Sequence, residues 1–366
     1  MDRGLSLYLD ILRFAAALTV LVTHLAYAEL SGGMLAYWRL LGNDAVMIFF
    51  VLSGFVIAYA TEARETTPGA YIRSRLARLW SVAVPALLLT IALDHWGSRL
   101  DPAAYSQWWY QGSDPVWRSL RALTFTNEVW FSGVRPFSNG PWWSLGYEAF
   151  YYAMFAALIF VPGWKGRVLA GALMVIAGPP ILLLWPIWWL GVWTWRHISR
   201  KTLPADKSAL LFFGSLAAYA LYRWSGLPEL LKDLTATAIG PDNVGTYLRF
   251  SDEFLSSYLI GPMVAAHFIG AHGLSAALEG LLTPWRRVIT WFAQSTFALY
   301  LLHYPMLRFT RAAFAYDETN PLHVALVFVG VAGTCVLVGP LIERTKGAWK
   351  TALALGQKEP RPVPGT

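Results

Sequence analysis

Residues 8–28 read YLDILRFAAALTVLVTHLAYA, an apolar run interrupted by Asp10, Arg13 and His24. About twenty mostly apolar residues cross a bilayer as one helix, so a spanning helix is predicted here. Its three ionisable groups are expensive in lipid and mark interior or functional positions. At about 100° per residue, Arg13 and His24 return to within about 20° of one another and Asp10 to within about 40° of His24. The three share one stripe, which must face protein. With a rise of about 1.5 Å per residue, His24 lies roughly 16 Å along the axis from Arg13. Asp10 and Arg13, at i and i+3, can pair locally in a structural role. His24 suits a general base, because an imidazole changes charge near neutrality; a satisfied core histidine is the bland alternative. The run ends in Ala26-Tyr27-Ala28, which has the form of a signal-peptidase site. Its n-region offers only Arg3 beside Asp2, and three ionisable groups sit inside the run, so a retained helix is expected.

The rest of the chain repeats the apolar signal. Of 366 residues 56% are hydrophobic and 14% charged, which leaves too little polar surface for a soluble domain of this size. The 19 Trp and 17 Tyr fit membrane interfaces, where amphipathic rings collect. A net charge of +7 raises nucleic acid as a partner, but the basic residues lie in short segments between apolar runs, so none is expected. Cys335 is the one cysteine, which excludes an intrachain disulfide.

Candidate spans fall near 8–28, 43–60, 79–95, 142–161, 167–184, 184–196, 208–223, 254–270, 288–311 and 321–342. The sixth is short, and Pro179-Pro180 blurs its boundary with the fifth. The expected fold is an all-α, polytopic transmembrane bundle of about ten helices, a single domain over residues 1–350 with a disordered cytoplasmic tail from 351. Placing the N-terminus inside puts Arg64, Arg73, Arg75, Arg78, Lys165, Arg167, Arg196, Arg200, Lys201, Lys207, Arg286, Arg287, Arg344, Lys346 and Lys350 on the inner side. Most acids, among them Asp94, Asp101, Glu128, Glu229, Asp242 and Asp317, fall outside, as the positive-inside rule requires of cytoplasmic termini. Two outer segments are long, 96–141 and 224–253. The first holds Trp96, Tyr105, Trp108, Trp109, Tyr110, Trp117, Trp130 and Phe131, either stacking faces for sugar rings or an interfacial belt.

Further candidates lie on other helices. Glu148 follows Pro141-Trp142-Trp143-Ser144-Leu145 by about one turn, at a depth comparable to His24, so a carboxylate and an imidazole could meet there. An interfacial Glu held by Trp or Tyr is the alternative. Arg75 and Arg78, one turn apart, can grip phosphate through bidentate hydrogen bonds, with a topogenic or lipid-headgroup role competing. The ninth span adds Ser295, Tyr300 and His303.

Together these segments resemble the acyltransferase-3 family of integral membrane acyltransferases. The resemblance rests on Leu9-Asp10-Ile11-Leu12-Arg13 followed by His24, on Phe49-Phe50-Val51-Leu52-Ser53-Gly54-Phe55 and on the Arg75/Arg78 pair. It continues with Trp143-Ser144-Leu145 to Glu148-Ala149-Phe150-Tyr151 and Ser295 through His303. It covers nearly the whole chain, although residues 165–285 match nothing diagnostic. It implies a ten-helix enzyme of the cell membrane that moves an acyl group, usually acetyl, from cytoplasmic acyl-CoA to a hydroxyl of an extracytoplasmic glycan or glycoside. His24 would be the base or transient acyl carrier and Glu148 its assistant. Arg13, Arg75 and Arg78 would serve coenzyme A, with Asp10, Ser53, Trp143, Ser295, Tyr300 and His303 in support. No metal is expected. Some members carry a fused hydrolase-like domain that this sequence lacks. The rival class is a transporter or flippase with a buried proton relay, but neither internal repeats nor paired broken helices are visible.

Overall fold

The computed structural model describes residues 1–107 and 109–354. Ten helices of at least 15 residues form the bundle among them. They are α1 (Arg3–Leu25), α2 (Gly42–Ala63), α3 (Pro68–Leu100), α4 (Trp143–Phe160) and α5 (Gly163–Ala177), followed by α6 (Pro179–Ile198), α7 (Ala205–Trp224), α8 (Phe254–Gly273), α9 (Arg286–Ala313) and α10 (Pro321–Ala354). The fold is the all-α polytopic bundle expected from the apolar runs.

Punctuation residues set several boundaries. Thr67 caps α3 by accepting a hydrogen bond from the Ala70 amide at 3.3 Å, with Pro68 at the first helical position. Asn320 does the same for α10 through the Leu322 amide at 2.9 Å, ahead of Pro321. The fifth and sixth helices divide at Gly178, whose φ of 85° breaks the helix just before Pro179. The fifth helix therefore ends at Ala177 instead of 184, and the sixth is a full 20 residues instead of a short one. The expected tail from 351 begins inside α10, and residues 355–366 lie outside the described residues, as does Trp108.

Five segments, Arg3–Leu25, Ala36–Ala63, Pro68–Leu100, Phe254–Gly273 and Pro321–Ala354, are each long and apolar enough to cross a membrane. The others are shorter or more polar for a visible reason in the case of α9. It packs against α1, α3 and α10, and among them it buries Ser295, Thr296, His303 and Arg308. Polarity that lipid would reject is tolerated because protein surrounds it. Arg13, Arg78 and Glu343 line one cavity near the end where α1 begins, the first face, and His24, in the last turn of α1, lies towards the second.

Small residues set the closest crossing. A Cβ at Gly54 of α2 would collide with the Trp188 carbonyl, and one at Gly191 of α6 with that of Val51, so the two backbones touch only because both positions are glycine. Two helix-interior prolines are compensated from outside their helices. Pro305 has no amide hydrogen for the Leu301 carbonyl, and Asn139 Nδ2 donates to it at 2.9 Å. Pro340 likewise frees the Val336 carbonyl of α10, and Ser295 Oγ donates to it at 3.0 Å. Ser295 thus fastens α9 to α10 and does not line the cavity described below.

The segment between α3 and α4 is anchored at its end. The Ser138 amide donates to Asp94 Oδ2 at 2.9 Å, and Asn139 Nδ2 also donates to Thr90 Oγ1 at 3.1 Å. These bonds fix the entry to α4. Of the aromatics expected to offer stacking faces, Trp96, Trp117, Trp130 and Phe131 are exposed, whereas Tyr105 and Trp109 are buried. Glu128 in this segment is buried, accepts from Asn127 Nδ2 at 3.1 Å, and leaves Oε2 unpaired. Burial lifts its carboxyl to about 7, against the opposing pull of Arg249 and the Asn127 bond. The folded state then holds this proton more tightly than the unfolded chain. Stability is expected to fall as pH rises from about 4.5 to about 7, by at most about 3 kcal/mol, and to level off above. Thermal unfolding in detergent between pH 5 and 8 measures this, and Glu128→Gln should flatten the slope. An unchanged slope in that variant would trace it to another group.

Candidate active site

A cavity of about 190 Å³ opens between α1, α2, α4 and α9, with α3 and α10 each contributing a charged side chain. At its first-face end it is lined by Asp10, Arg13, Arg78 and Glu343, and towards the second face by Phe49, Ser53, Ser144, Glu148 and Tyr300. Arg13 donates to Asp10 Oδ1 at 2.9 Å, the local pair expected from their spacing, and its Nε is buried without a partner. Lys346, bonded to Glu343 at 3.1 Å, adds a third cation close to Arg78. An anion entering this end meets guanidiniums already held in place.

Arg75 behaves differently from Arg78. Its guanidinium is bonded to Glu65 at 2.6 Å and lies over the rings of Tyr71 and Tyr152. It is absent from the cavity wall. Because side chains one turn apart still diverge in azimuth, the two guanidiniums expected to act as a pair are not brought together at the cavity wall. Arg13 of α1 and Arg78 of α3 make the cationic pair instead.

Glu148 occupies the cavity's middle. Its Oε1 accepts from Ser53 Oγ and from the Tyr152 hydroxyl, and Trp188 Nε1 donates to Ser53 Oγ at 3.1 Å. Ser53 of the Phe49–Phe55 stretch therefore orients the carboxylate, and Gly54 beside it admits the helix that carries Trp188. At the cavity's far end the Tyr300 hydroxyl and Ser144 Oγ are 2.7 Å apart. Trp143 stacks on Phe250 with centroids 4.8 Å apart and rings 5° from parallel, which places it in packing against the segment before α8.

The expected meeting of Glu148 with His24 does not occur. The imidazole of His24 points at α9, where its Nδ1 lies 3.0 Å from Nε2 of His303 and 2.9 Å from the Val20 carbonyl. His303 Nδ1 is 2.7 Å from the Leu299 carbonyl. The histidine pair sits one helical turn of α9 beyond Tyr300, whose ring centroid is 6.5 Å from that of His303. Equal depth does not imply equal azimuth, and α9, not α4, is the helix that faces His24.

Beyond the pair lies a cluster that the linear motifs leave unmarked. The Tyr304 and Tyr27 rings stand 4.8 and 6.1 Å from that of His24. Arg308, 3% exposed, donates to Glu29 and to the Tyr304 hydroxyl, each at 2.7 Å, over the ring of Trp109 at 4.3 Å. Arg135 donates to the Trp109 carbonyl at 2.7 Å. The signal available in sequence was an intramembrane arginine one turn after Tyr304. Among the described residues, no three His, Cys, Asp or Glu side chains gather to hold a metal ion.

Comparison with known proteins bears on this arrangement. Residues 6–339 match the family model described as an acyltransferase domain, that of acyltransferase-3. The chain belongs to the acyltransferase-3 family. Acyltransferase MdmB of Streptomyces mycarofaciens is 24% identical over 337 residues, covering 81% of this chain and 78% of that protein. Exopolysaccharide production protein ExoZ of Rhizobium meliloti is 25% identical over 216 residues, covering 51% of this chain and 61% of that protein. No solved structure matches significantly. Acyltransferase-3 membership makes the chain a membrane acyltransferase and disfavours the transporter alternative. The cavity, its cations and the histidine pair are thereby the features to weigh against acyl transfer.

Proposed function

We propose that this acyltransferase-3 protein is an O-acyltransferase of the cell membrane that moves an acyl group, most simply acetyl, from cytoplasmic acyl-CoA to a hydroxyl of an extracytoplasmic glycan or glycoside. The observation that carries the reading is the line-up of cations, cavity and imidazoles. Arg13 and Arg78 flank the first-face end of the cavity, Tyr300 lines its other end, and one turn further along α9 stands His303, in contact with His24. The positive-inside rule makes the first face cytoplasmic, with both ends of the described chain there.

In this reading the phosphates of acyl-CoA dock on Arg13, Arg78 and Lys346, and the pantetheine arm extends along the cavity past Glu148 and Ser53. The acceptor approaches from the second face, towards the half-buried Tyr27 beside His24, with the buried Tyr304 and Arg308 behind it. His24 takes the proton of the acceptor hydroxyl, the oxygen attacks the thioester carbonyl, and the C–S bond breaks to release CoA, which regains a proton at sulfur. The two-step alternative has His24 carry the acyl group before passing it to the acceptor. ExoZ, by its name, acts in exopolysaccharide production, and a polysaccharide or glycoside acceptor fits that relative.

The test compares envelope and secreted glycans by mass spectrometry in cells with and without the gene, alongside CoA release from acetyl-CoA by the corresponding membranes. Loss of one acyl mass together with loss of CoA release is the expected result. Unchanged glycans and unchanged acetyl-CoA consumption would sink the assignment.

A further inference from the structure

We propose that His303 is a positioning residue that, together with the Val20 carbonyl, holds the tautomer and orientation of His24, so that Nε2 of His24 is the bare, reactive nitrogen. The inference rests on the reading of His24 as the base or acyl carrier, and it adds which atom reacts and why. It follows from counting protons along a chain of hydrogen bonds. A backbone carbonyl only accepts, so His303 Nδ1, 2.7 Å from the Leu299 oxygen, carries the hydrogen. A neutral imidazole has one N–H, which leaves His303 Nε2 as an acceptor. His24 Nδ1 is 3.0 Å from that acceptor and 2.9 Å from a second, the Val20 carbonyl. Between two acceptors Nδ1 must hold the hydrogen, and His24 Nε2 keeps its lone pair.

Nothing competes for that lone pair, because Nε2 of His24 has no hydrogen-bond partner among the described residues. When Nε2 gains a proton or an acyl group, the ring becomes cationic and its Nδ1–H bond to His303 strengthens as a charge-assisted bond. His303 is fully buried, and its backbone turn is held by the bond from Asn139 to the Leu301 carbonyl, so the acceptor cannot drift. The logic is that of an orienting group behind a catalytic imidazole, here supplied by a second histidine in place of a carboxylate.

The test uses full-length protein in membranes with acetyl-CoA as the probe and CoA release as the readout, in His303→Ala, His303→Gln and His24→Ala. The Val20 carbonyl survives in His303→Ala, so kcat should fall by about 10- to 100-fold with little change in KM for acetyl-CoA. Gln offers an acceptor oxygen near the position of Nε2 and should restore most of that loss, which a purely packing role would not predict. Nitrogen NMR of histidine-labelled protein should show His24 protonated at Nδ1 in the wild type, with a larger Nε2-protonated fraction in His303→Ala, where the Val20 carbonyl is the acceptor left to Nδ1. Full activity in His303→Ala, with His24→Ala inactive, would overturn the tautomer assignment and leave the functional reading standing. Protonation at Nε2 in the wild type would do the same. Should His303→Ala fail to fold, a folded and active His303→Gln supports the assignment and a folded, inactive one refutes it. Activity in His24→Ala would remove the functional reading itself.

Discussion

Replacement of His24 by Ala is expected to lower kcat/KM for acyl transfer by about 10²- to 10⁴-fold or more while leaving membrane insertion intact. A positioned general base contributes about 10²- to 10⁴-fold, and loss of a covalent carrier costs more. His24 lies in the last turn of α1, and its ring contacts are Tyr27, His303 and Tyr304. Truncation leaves His303 Nε2 without its donor, a stability cost of about 1–3 kcal/mol, small beside the packing of α1 against α2 and α9. Activity and folding are therefore separable. The measurement is CoA release from acetyl-CoA by membranes carrying equal amounts of each protein, with thermal stability in detergent as the control. A folded His24→Ala protein with near wild-type turnover would end the proposal for this residue.

The second large effect concerns the guanidiniums, and its value lies in a contrast. Arg78→Ala is expected to raise KM for acetyl-CoA by about 10- to 100-fold, the equivalent of losing a hydrogen-bonded charge contact of about 1.5–3 kcal/mol. Arg75→Ala is expected to leave KM nearly unchanged and to lower thermal stability instead. Arg75 is spent on Glu65 and on the Tyr71 and Tyr152 rings, and its removal strands a largely buried carboxylate. Kinetics at varied acetyl-CoA together with melting curves distinguish the two. A KM rise of equal size in both variants would mean that both arginines hold the donor and that the Glu65 pair opens when it binds.

The same two arginines illustrate how far a linear reading reaches. Their spacing announces a cationic patch at the first face, and the patch is there. Which guanidinium turns into the cavity depends on Glu65, ten residues away at the end of a different helical approach, and no periodicity within α3 encodes it. Ser295 and Asn139 are similar. A proline in a membrane helix predicts that some carbonyl will need a donor, but the donor comes from another segment: Asn139 for Leu301, Ser295 for Val336. Hydropathy alone misplaces the boundary between the fifth and sixth helices because apolar content continues through Gly178-Pro179-Pro180, and backbone geometry ends the helix there.

By itself the sequence determined the element list and the inward stripe, because apolar length and the 3.6-residue period are local properties of each helix. From these follow the ten helices and the half-buried, inward placement of Asp10, Arg13 and His24 on α1, while the acyltransferase-3 resemblance rests on the residues of the matched motifs. Only the tertiary structure decided who meets whom: His24 with His303 instead of Glu148, Glu148 with Ser53 and Tyr152, Arg78 in the cavity wall and Arg75 outside it. A helix's period fixes the direction in which a side chain points. What stands there depends on how each neighbour packs and rotates about its own axis, and that is a property of the assembled bundle.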